Sequence, residues 1–214
     1  MPARPDPASF PPPPIPSTVS AAALSDAAQF CQACDLHVGA TQAVFGAGPA
    51  GARVMLVGEQ PGDREDIEGR PFVGPAGRIL DEALERAGIA REDAYVTNAV
   101  KHFRYRMRGK RRIHQRPDRW QVRACFPWLQ AELSLVEPQA LVLLGATAAQ
   151  ALIGPQVRVG ESRGSLLDSD LAEFVTVTAH PSSILRVSDQ AERHRAMEAF
   201  VGDLSAVAGW IAGR

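Results

Sequence analysis

His114 sits inside a concentrated run of positive charge. The segment from Lys101 to Arg123, KHFRYRMRGKRRIHQRPDRWQVR, holds ten of the 23 Lys and Arg residues and is opposed only by Asp118. Its local charge is +9 within a chain of net charge −1, an asymmetry that points to a polyanionic partner. Neutralising several phosphates releases condensed counterions, so arginine-rich segments bind nucleic acid strongly and salt-sensitively. A solvated basic loop with no ligand is the plainer alternative. An imidazole set among cations has its protonated form disfavoured, which makes His114 a candidate nucleophile near pH 7.

A second group of residues suits a soft metal. Cys31 and Cys34 form a CxxC pair, and Cys125 stands alone later in the chain. Three cysteines cannot pair completely, and the spacing does not resemble a secreted disulfide framework. A CxxC presents two thiolates to one metal or to one face of a cluster, and both zinc and iron–sulfur sites use it. The plainer alternative is free thiols or a redox pair. His102 and His37 are both candidates for the fourth ligand.

Three loops carry further chemistry. GEQPGDREDIEGRPFVGPAGR places Glu59, Gln60 and Asp63 beside glycines that permit close backbone approach to a ligand, then presents Phe72 between Pro71 and Val73. Asn98 offers an amide donor and acceptor side by side, the complement of a pyrimidine edge. His180-Pro-Ser-Ser-Ile-Leu-Arg186 combines a histidine, hydroxyls, apolar residues and an arginine. Taken singly, each is equally compatible with a turn, a cap or a core position.

The elements that must position these loops are legible from periodicity. Ala21–Cys31 is predicted as a short helix entering the CxxC. Continuous apolar runs predict strands at Arg53–Gly58, Ala94–Val100, Ala140–Gly145 and Phe174–Thr178. Helical spacing predicts helices at Gly74–Ala87, with Gly88 as the stop, and at Pro117–Val136, Thr147–Ile153 and Ala191–Ile211. Alternating strands and helices imply a parallel sheet covered on both faces, with functional residues in loops at the carboxyl ends of the strands. The segments 58–62, 98–114 and 180–186 are predicted to be such loops.

The first seventeen residues contain eight of the 17 prolines. Residues 1–19 are therefore expected to form a disordered or polyproline tail, and 20–214 a single domain. No apolar run approaches the roughly 20 residues that span a bilayer, and no charged leader precedes a hydrophobic block, so a cytoplasmic protein is expected. Nothing in the pattern requires more than a monomer.

GEQPGDRED, RPFVGPAGR, VTNAVKH, GKRRIH and HPSSILR, in this order and at these distances, closely resemble the uracil-DNA glycosylase superfamily, and the resemblance runs from Cys31 to about Leu204. The iron–sulfur family 4 enzymes share most of these blocks. The insert Lys110-Arg111-Arg112-Ile113-His114 is similar to that of the UdgX group, which becomes covalently attached to uracil-containing DNA. The resemblance implies a three-layer α/β/α sandwich with a central parallel sheet, acting on a uracil flipped from the stack at a cost of about a few kcal/mol in duplex and less in single strands. Uracil-containing DNA, including single-stranded DNA, is the implied partner.

The resemblance also implies individual roles. Phe72 stacks on the base, Asn98 reads its pyrimidine edge, and His180 stabilises charge on O2 of the departing uracil, supported by the Gln60 region. Ser182 contacts the substrate, and Arg186, with Ile184 and Leu185, holds the distorted strand. Arg111 and Arg112 contact phosphates and hold the His114 loop on the DNA. His114 captures the oxocarbenium-like C1′, with Glu59 orienting or deprotonating it and Asp63 assisting. Cys31, Cys34, His102 and Cys125 hold a 4Fe–4S cluster that fixes the basic segment. His102 is preferred to His37 because the UdgX group similarly lacks the family 4 cysteine there, and zinc is the alternative from ligand types alone. Two competing readings stand beside this one: a turnover uracil-DNA glycosylase that uses an activated water, and a non-catalytic nucleic-acid-binding module with a structural metal.

Overall fold

The computed structural model of the protein describes residues 6–18 and 20–214. In chain order the elements are α1 (Ala21–Ala28), α2 (Leu36–Gly39), β1 (Val54–Gly58), α3 (Asp63–Glu68), α4 (Pro75–Ala87), β2 (Ala94–Asn98), β3 (Tyr105–Arg108), β4 (Arg111–His114), α5 (Arg119–Val136), β5 (Ala140–Leu144), α6 (Ala146–Leu152), α7 (Val159–Ser162), β6 (Phe174–Thr178), α8 (Pro181–Leu185) and α9 (Gln190–Ala212). β1, β2, β5 and β6 make one parallel sheet in the order β2-β1-β5-β6. Every residue of these strands is buried, which is why their sequences read as unbroken apolar runs.

Strand alternation sends side chains into two separate cores. Val54, Leu56, Val96 and Val142 pack with Leu80 and Leu84 of α4 and with Phe200, Leu204 and Val207 of α9. Met55, Val57, Leu141 and Val175 face the other way, toward Leu129 of α5 and Ala148 and Ala149 of α6. The expected three layers follow from this division of one pleated surface. A third cluster joins α1 to the start of α5 through Leu24, Ala28, Trp120, Trp128 and all three cysteines.

The chain winds from β1 outward to β2, then returns to the opposite side of β1 for β5 and β6. The strand order therefore reverses between β1 and β5, and the crevice outside the carboxyl ends of the strands at such a reversal is the usual place for a ligand in an open parallel sheet. Glu59 follows β1 and Gly145 follows β5 at this point.

Three expected loops are revised, one of them 180–186, which contains α8. The segment 98–114 is not one loop: β3 and β4 form an antiparallel hairpin pairing Tyr105 with His114 and Arg108 with Arg111, so Gly109 and Lys110 are its two-residue turn. Gly109 has φ +60°, the conformation such a tight turn favours. The first glycine-rich loop contains α3, whose amino end is closed by Glu65 accepting from the Gly62 and Gly74 amides at 3.1 and 2.8 Å. At the amino terminus, residues 1–5 and Val19 of the expected tail lie outside the described residues. Over the described part Pro7–Ser9 makes a single 3-10 turn, Phe10 lies against Trp120 with ring centroids 5.4 Å apart, and Ile15 packs on the third cluster. The few apolar side chains between the prolines give this segment something to bury.

Candidate active site

The candidate base-contacting residues Asn98 and Phe72 converge where β1 and β2 end side by side. Gly58 is paired in register with Asn98, and the pairing continues past the strands through Ala99 N–H to the Gly58 carbonyl at 2.9 Å and Val100 N–H to the Glu59 carbonyl at 3.0 Å. Gly58 has to lack a side chain. A β-carbon there would lie 2.4 Å from Asn98 Oδ1 and 2.7 Å from the Phe72 ring. Phe72 is buried, with φ +56°, a left-handed conformation rare for a bulky residue and characteristic of functional sites. Its carbonyl fits against Gly77, where a β-carbon would approach to 1.7 Å. The Phe72 ring lies against His180 at an interplanar angle of 29°, with centroids 6.2 Å apart.

The Asn98 amide makes no side-chain hydrogen bond among the described residues, whereas its backbone is held firmly. Lys101 Nζ donates to the Asn98 carbonyl at 2.7 Å, to Thr97 Oγ1 at 2.8 Å and to Glu132 Oε2 at 2.5 Å. The Lys101 and Glu132 side chains are 1% and 0% exposed. Glu132 also accepts from the Gly46 amide, the Thr97 hydroxyl and the Tyr95 phenol. Burial, followed by the charge of Glu132, pushes the Tyr95 phenol pKa far up, so it stays a donor. A buried ion pair that satisfies all its donors in this way fixes backbone position.

His180 caps the short helix α8 with its own ring. Nδ1 accepts the Ser182 amide at 3.2 Å and lies 2.9 Å from Ser182 Oγ, which in turn accepts from Arg186 Nη1 at 3.1 Å. Burial first, then the charges of His114 and Arg186, lower the His180 pKa to about 4. The ring is therefore neutral at pH 7 and, with Nδ1 accepting, carries its proton on Nε2 as a donor. Ile184, expected against DNA, belongs instead to the core beneath α4, while Leu185 and Arg186 are exposed.

His114 ends β4 with its side chain half exposed, and its Nε2 lies 3.5 Å from Glu59 Oε1. Burial lowers its pKa, Glu59 opposes that shift, and Arg186 adds to it, leaving a neutral imidazole near pH 7. The hairpin carrying it is pinned from two sides, by Gln60 and by α3. Gln60, expected beside the uracil, is buried with its amide spent on the hairpin base, donating to the Arg104 and Gln115 carbonyls at 3.1 Å each and accepting the Arg104 amide at 3.1 Å. Arg112, expected on phosphate, is turned inward. Its guanidinium donates to Asp63 at 2.6 Å and to Asp66 at 2.5 Å and lies over the Phe103 and Tyr105 rings. Asp63 is thereby occupied in holding the hairpin, and Asp66, also held by Thr41, is a contributor that the motif reading missed. Arg111, by contrast, is exposed like Arg106, Arg108 and Lys110, and these cations make no ion pair among the described residues. They form the exposed part of the basic segment.

The cysteines gather behind the hairpin. Each thiol sulfur accepts an N–H: Cys31 from Trp128 Nε1 at 3.2 Å, Cys125 from the Lys101 amide at 3.2 Å, and Cys34 from the Leu36 amide. Burial raises the Cys34 thiol to about 11 and the Cys125 thiol to about 12, and the charges of neighbouring cysteines add to it. Burial, then His37, lowers His102 to about 4, so it presents a neutral imidazole. His102, His37 and Cys31 line a common cavity of about 220 Å³. His37 Nδ1 is engaged with the Cys34 carbonyl at 2.6 Å. Among the described residues no group of three or more His, Cys, Asp and Glu side chains is arranged to hold a metal ion directly.

The fold agrees with sequence comparison. The profile of the uracil DNA glycosylase superfamily matches residues 45–205. A type-4 uracil-DNA glycosylase from Thermotoga maritima is 38% identical over 164 residues, covering 76% of this chain and 82% of the relative. Those from Pyrobaculum aerophilum and Saccharolobus solfataricus are 36% and 31% identical, covering 73% and 76% of this chain and 80% and 76% of theirs. The chain belongs to the uracil DNA glycosylase superfamily. No helix among the described residues is long and apolar enough to cross a membrane.

Proposed function

We propose that this protein excises uracil from DNA and is captured on the product through His114. The observation that carries the second half is the placement of His114 on a pinned hairpin, 3.5 Å from the Glu59 carboxylate and within electrostatic reach of His180. A flipped uracil stacks on Phe72, and the free Asn98 amide reads its pyrimidine edge. The C1′–N1 bond breaks with its electron pair on uracil, whose O2 accepts from His180 Nε2–H, leaving an oxocarbenium-like sugar. The lone pair of an imidazole nitrogen of His114 then bonds to C1′. The proton lost from the other imidazole nitrogen passes to Glu59 and on to the uracil anion, so charge and atoms balance.

Exposed Arg111, with Arg106, Arg108 and Lys110, provides the phosphate contact, and Arg186 and Ser182 flank the base from the α8 side. The thiols of Cys31, Cys34 and Cys125, each already receiving an N–H donor, together with neutral His102, fit the donor set of an iron–sulfur cluster. Such a cluster would supply a rigid tie between α1, the hairpin base and α5. An unstacked base is cheaper to capture, so single-stranded DNA is a substrate.

A turnover glycosylase, in which water near Glu59 captures C1′, is the second reading, and the naming of its relatives as type-4 uracil-DNA glycosylases favours it. A denaturing gel of protein with single-stranded DNA containing one uracil separates the two. An SDS- and heat-resistant band that requires both uracil and His114, and that disappears in His114→Ser with appearance of free abasic DNA, is the expected result. An undiminished adduct in His114→Ser, or free uracil in excess over wild-type protein, would overturn capture by His114.

A further inference from the structure

We propose that Thr147, at the start of α6, is a positioning residue that sets the Glu59 carboxylate for capture by His114. This rests on the functional reading above and adds to it a residue that no sequence motif marks. Thr147 is 6% exposed, and its hydroxyl donates to Glu59 Oε2. Arg116 Nε donates to the same hydroxyl oxygen at 3.2 Å. An oxygen that accepts from a guanidinium must send its own proton elsewhere, and Glu59 Oε2 is the acceptor in reach. The direction of the chain is therefore fixed, running from Arg116 to Thr147 to Glu59.

The consequence falls on the other carboxylate oxygen. With Oε2 tied to Thr147 and lying 3.9 Å from Arg116 Nε, Oε1 is turned toward His114 Nε2 at 3.5 Å. Arg116 is steadied by Gln150, also on α6, which accepts from Nη2 at 3.3 Å. Glu59 leaves β1 and Thr147 follows β5, so the contact bridges the strand-order reversal of the sheet and joins the two walls of the crevice. Nothing in this chain of bonds reaches Phe72, Asn98 or His180. Its loss should spare recognition and bond cleavage and impair the step that uses Glu59.

The test is the partition of product on single-stranded uracil DNA under single turnover, measured as captured DNA against free abasic DNA. The wild type, Thr147→Val and Thr147→Ser are compared. Removing a hydrogen bond to a carboxylate corresponds to about a ten- to hundredfold loss of rate. Thr147→Val should keep uracil release and the protein concentration giving half-maximal release within about threefold of wild type, while capture slows by that factor and free abasic DNA becomes the main product. Thr147→Ser, which keeps the hydroxyl, should restore capture. Thr147→Ala repeats the test without crowding should the valine variant not fold. Capture by Thr147→Val and Thr147→Ala as complete and as fast as wild type would overturn this inference alone. So would a serine variant as defective as the valine one, since the methyl group would then be what matters. Absence of adduct from wild-type protein would overturn the functional reading and this inference with it.

Discussion

Replacing Lys101 by methionine should unsettle the molecule far more than its position beside a surface hairpin suggests. The ammonium is 1% exposed and contacts Thr97, the Asn98 carbonyl and a Glu132 carboxylate that is 0% exposed. Methionine fills the same volume but leaves Glu132 charged and buried with only the Gly46, Thr97 and Tyr95 donors, and leaves the Asn98 carbonyl without its lysine donor. Breaking a buried pair by removing one partner costs about 3–5 kcal/mol. For a chain of this size each kcal/mol corresponds to about 2–4 °C, so Tm should fall by roughly 6–20 °C. The double variant Lys101→Met with Glu132→Gln removes the stranded charge and should recover a large part of that loss, giving a coupling of roughly 2 kcal/mol or more in a double-mutant cycle. The assay is thermal unfolding followed by circular dichroism at fixed pH, with uracil excision measured at a temperature where every variant is folded. Excision should remain depressed in the double variant, because the Asn98 backbone has still lost its anchor. A fall in Tm below about 2 °C for Lys101→Met, or purely additive effects, would refute the reasoning.

Other expectations follow from the same geometry. Gly58→Ala should fold at a cost of about 1–3 kcal/mol from overpacking, yet lose nearly all uracil excision, because its β-carbon needs the space of Asn98 Oδ1 and the Phe72 ring; near-normal excision would contradict the roles given to Asn98 and Phe72. Because burial holds the His114 pKa below the ordinary 6.5, the rate of capture measured from pH 5 to 8 should be flat at neutral pH, with its acid-side midpoint below 6.5; a midpoint above 6.5 would contradict this. His180 is held down at about 4, so the unfolded chain binds a proton at this position between about pH 6.5 and 4 that the folded chain does not. Stability is therefore lost as pH falls through that window, and His180→Asn should make Tm less steeply dependent on pH there; an unchanged slope would argue against a buried neutral imidazole. Arg112→Ala should reduce capture more than it reduces salt-sensitive DNA binding, whereas Arg111→Ala should do the opposite, as measured by product partition and by affinity across a salt series.

The parallel sheet was legible because all four strands are buried on both faces, and the helices flanking it because α4, α5 and α9 are long enough to show helical spacing. The hairpin was hidden by its own charge. Tyr105, Met107 and Ile113 alternate correctly for strands, and Gly109-Lys110 is a plausible two-residue turn, but arginines at the intervening positions make the segment read as a solvated loop. Motif blocks led to His114, Glu59, Asn98, Phe72 and His180, all of which the fold brings to the carboxyl ends of β1, β2, β4 and β6. What spacing could not give was how neighbouring polar groups divide their work. Gln60 and Arg112 are motif residues that the tertiary structure spends on the hairpin, as is Asp66, which stands in the GEQPGDRED block without a chemistry of its own to mark it, while Glu132 and Thr147 come from elements whose sequences advertise only helix. Such pairings depend on contacts between residues dozens of positions apart, and one sequence carries no record of them.

Mass spectrometry of the protein after reaction with a short single-stranded DNA containing one uracil, followed by nuclease and protease digestion, addresses the central claim most directly. The account predicts a deoxyribose phosphate remnant, lacking the base, on the peptide that contains His114 and on its imidazole. Unmodified His114 peptide alongside free uracil and free abasic DNA, or a remnant on any other residue, would contradict it.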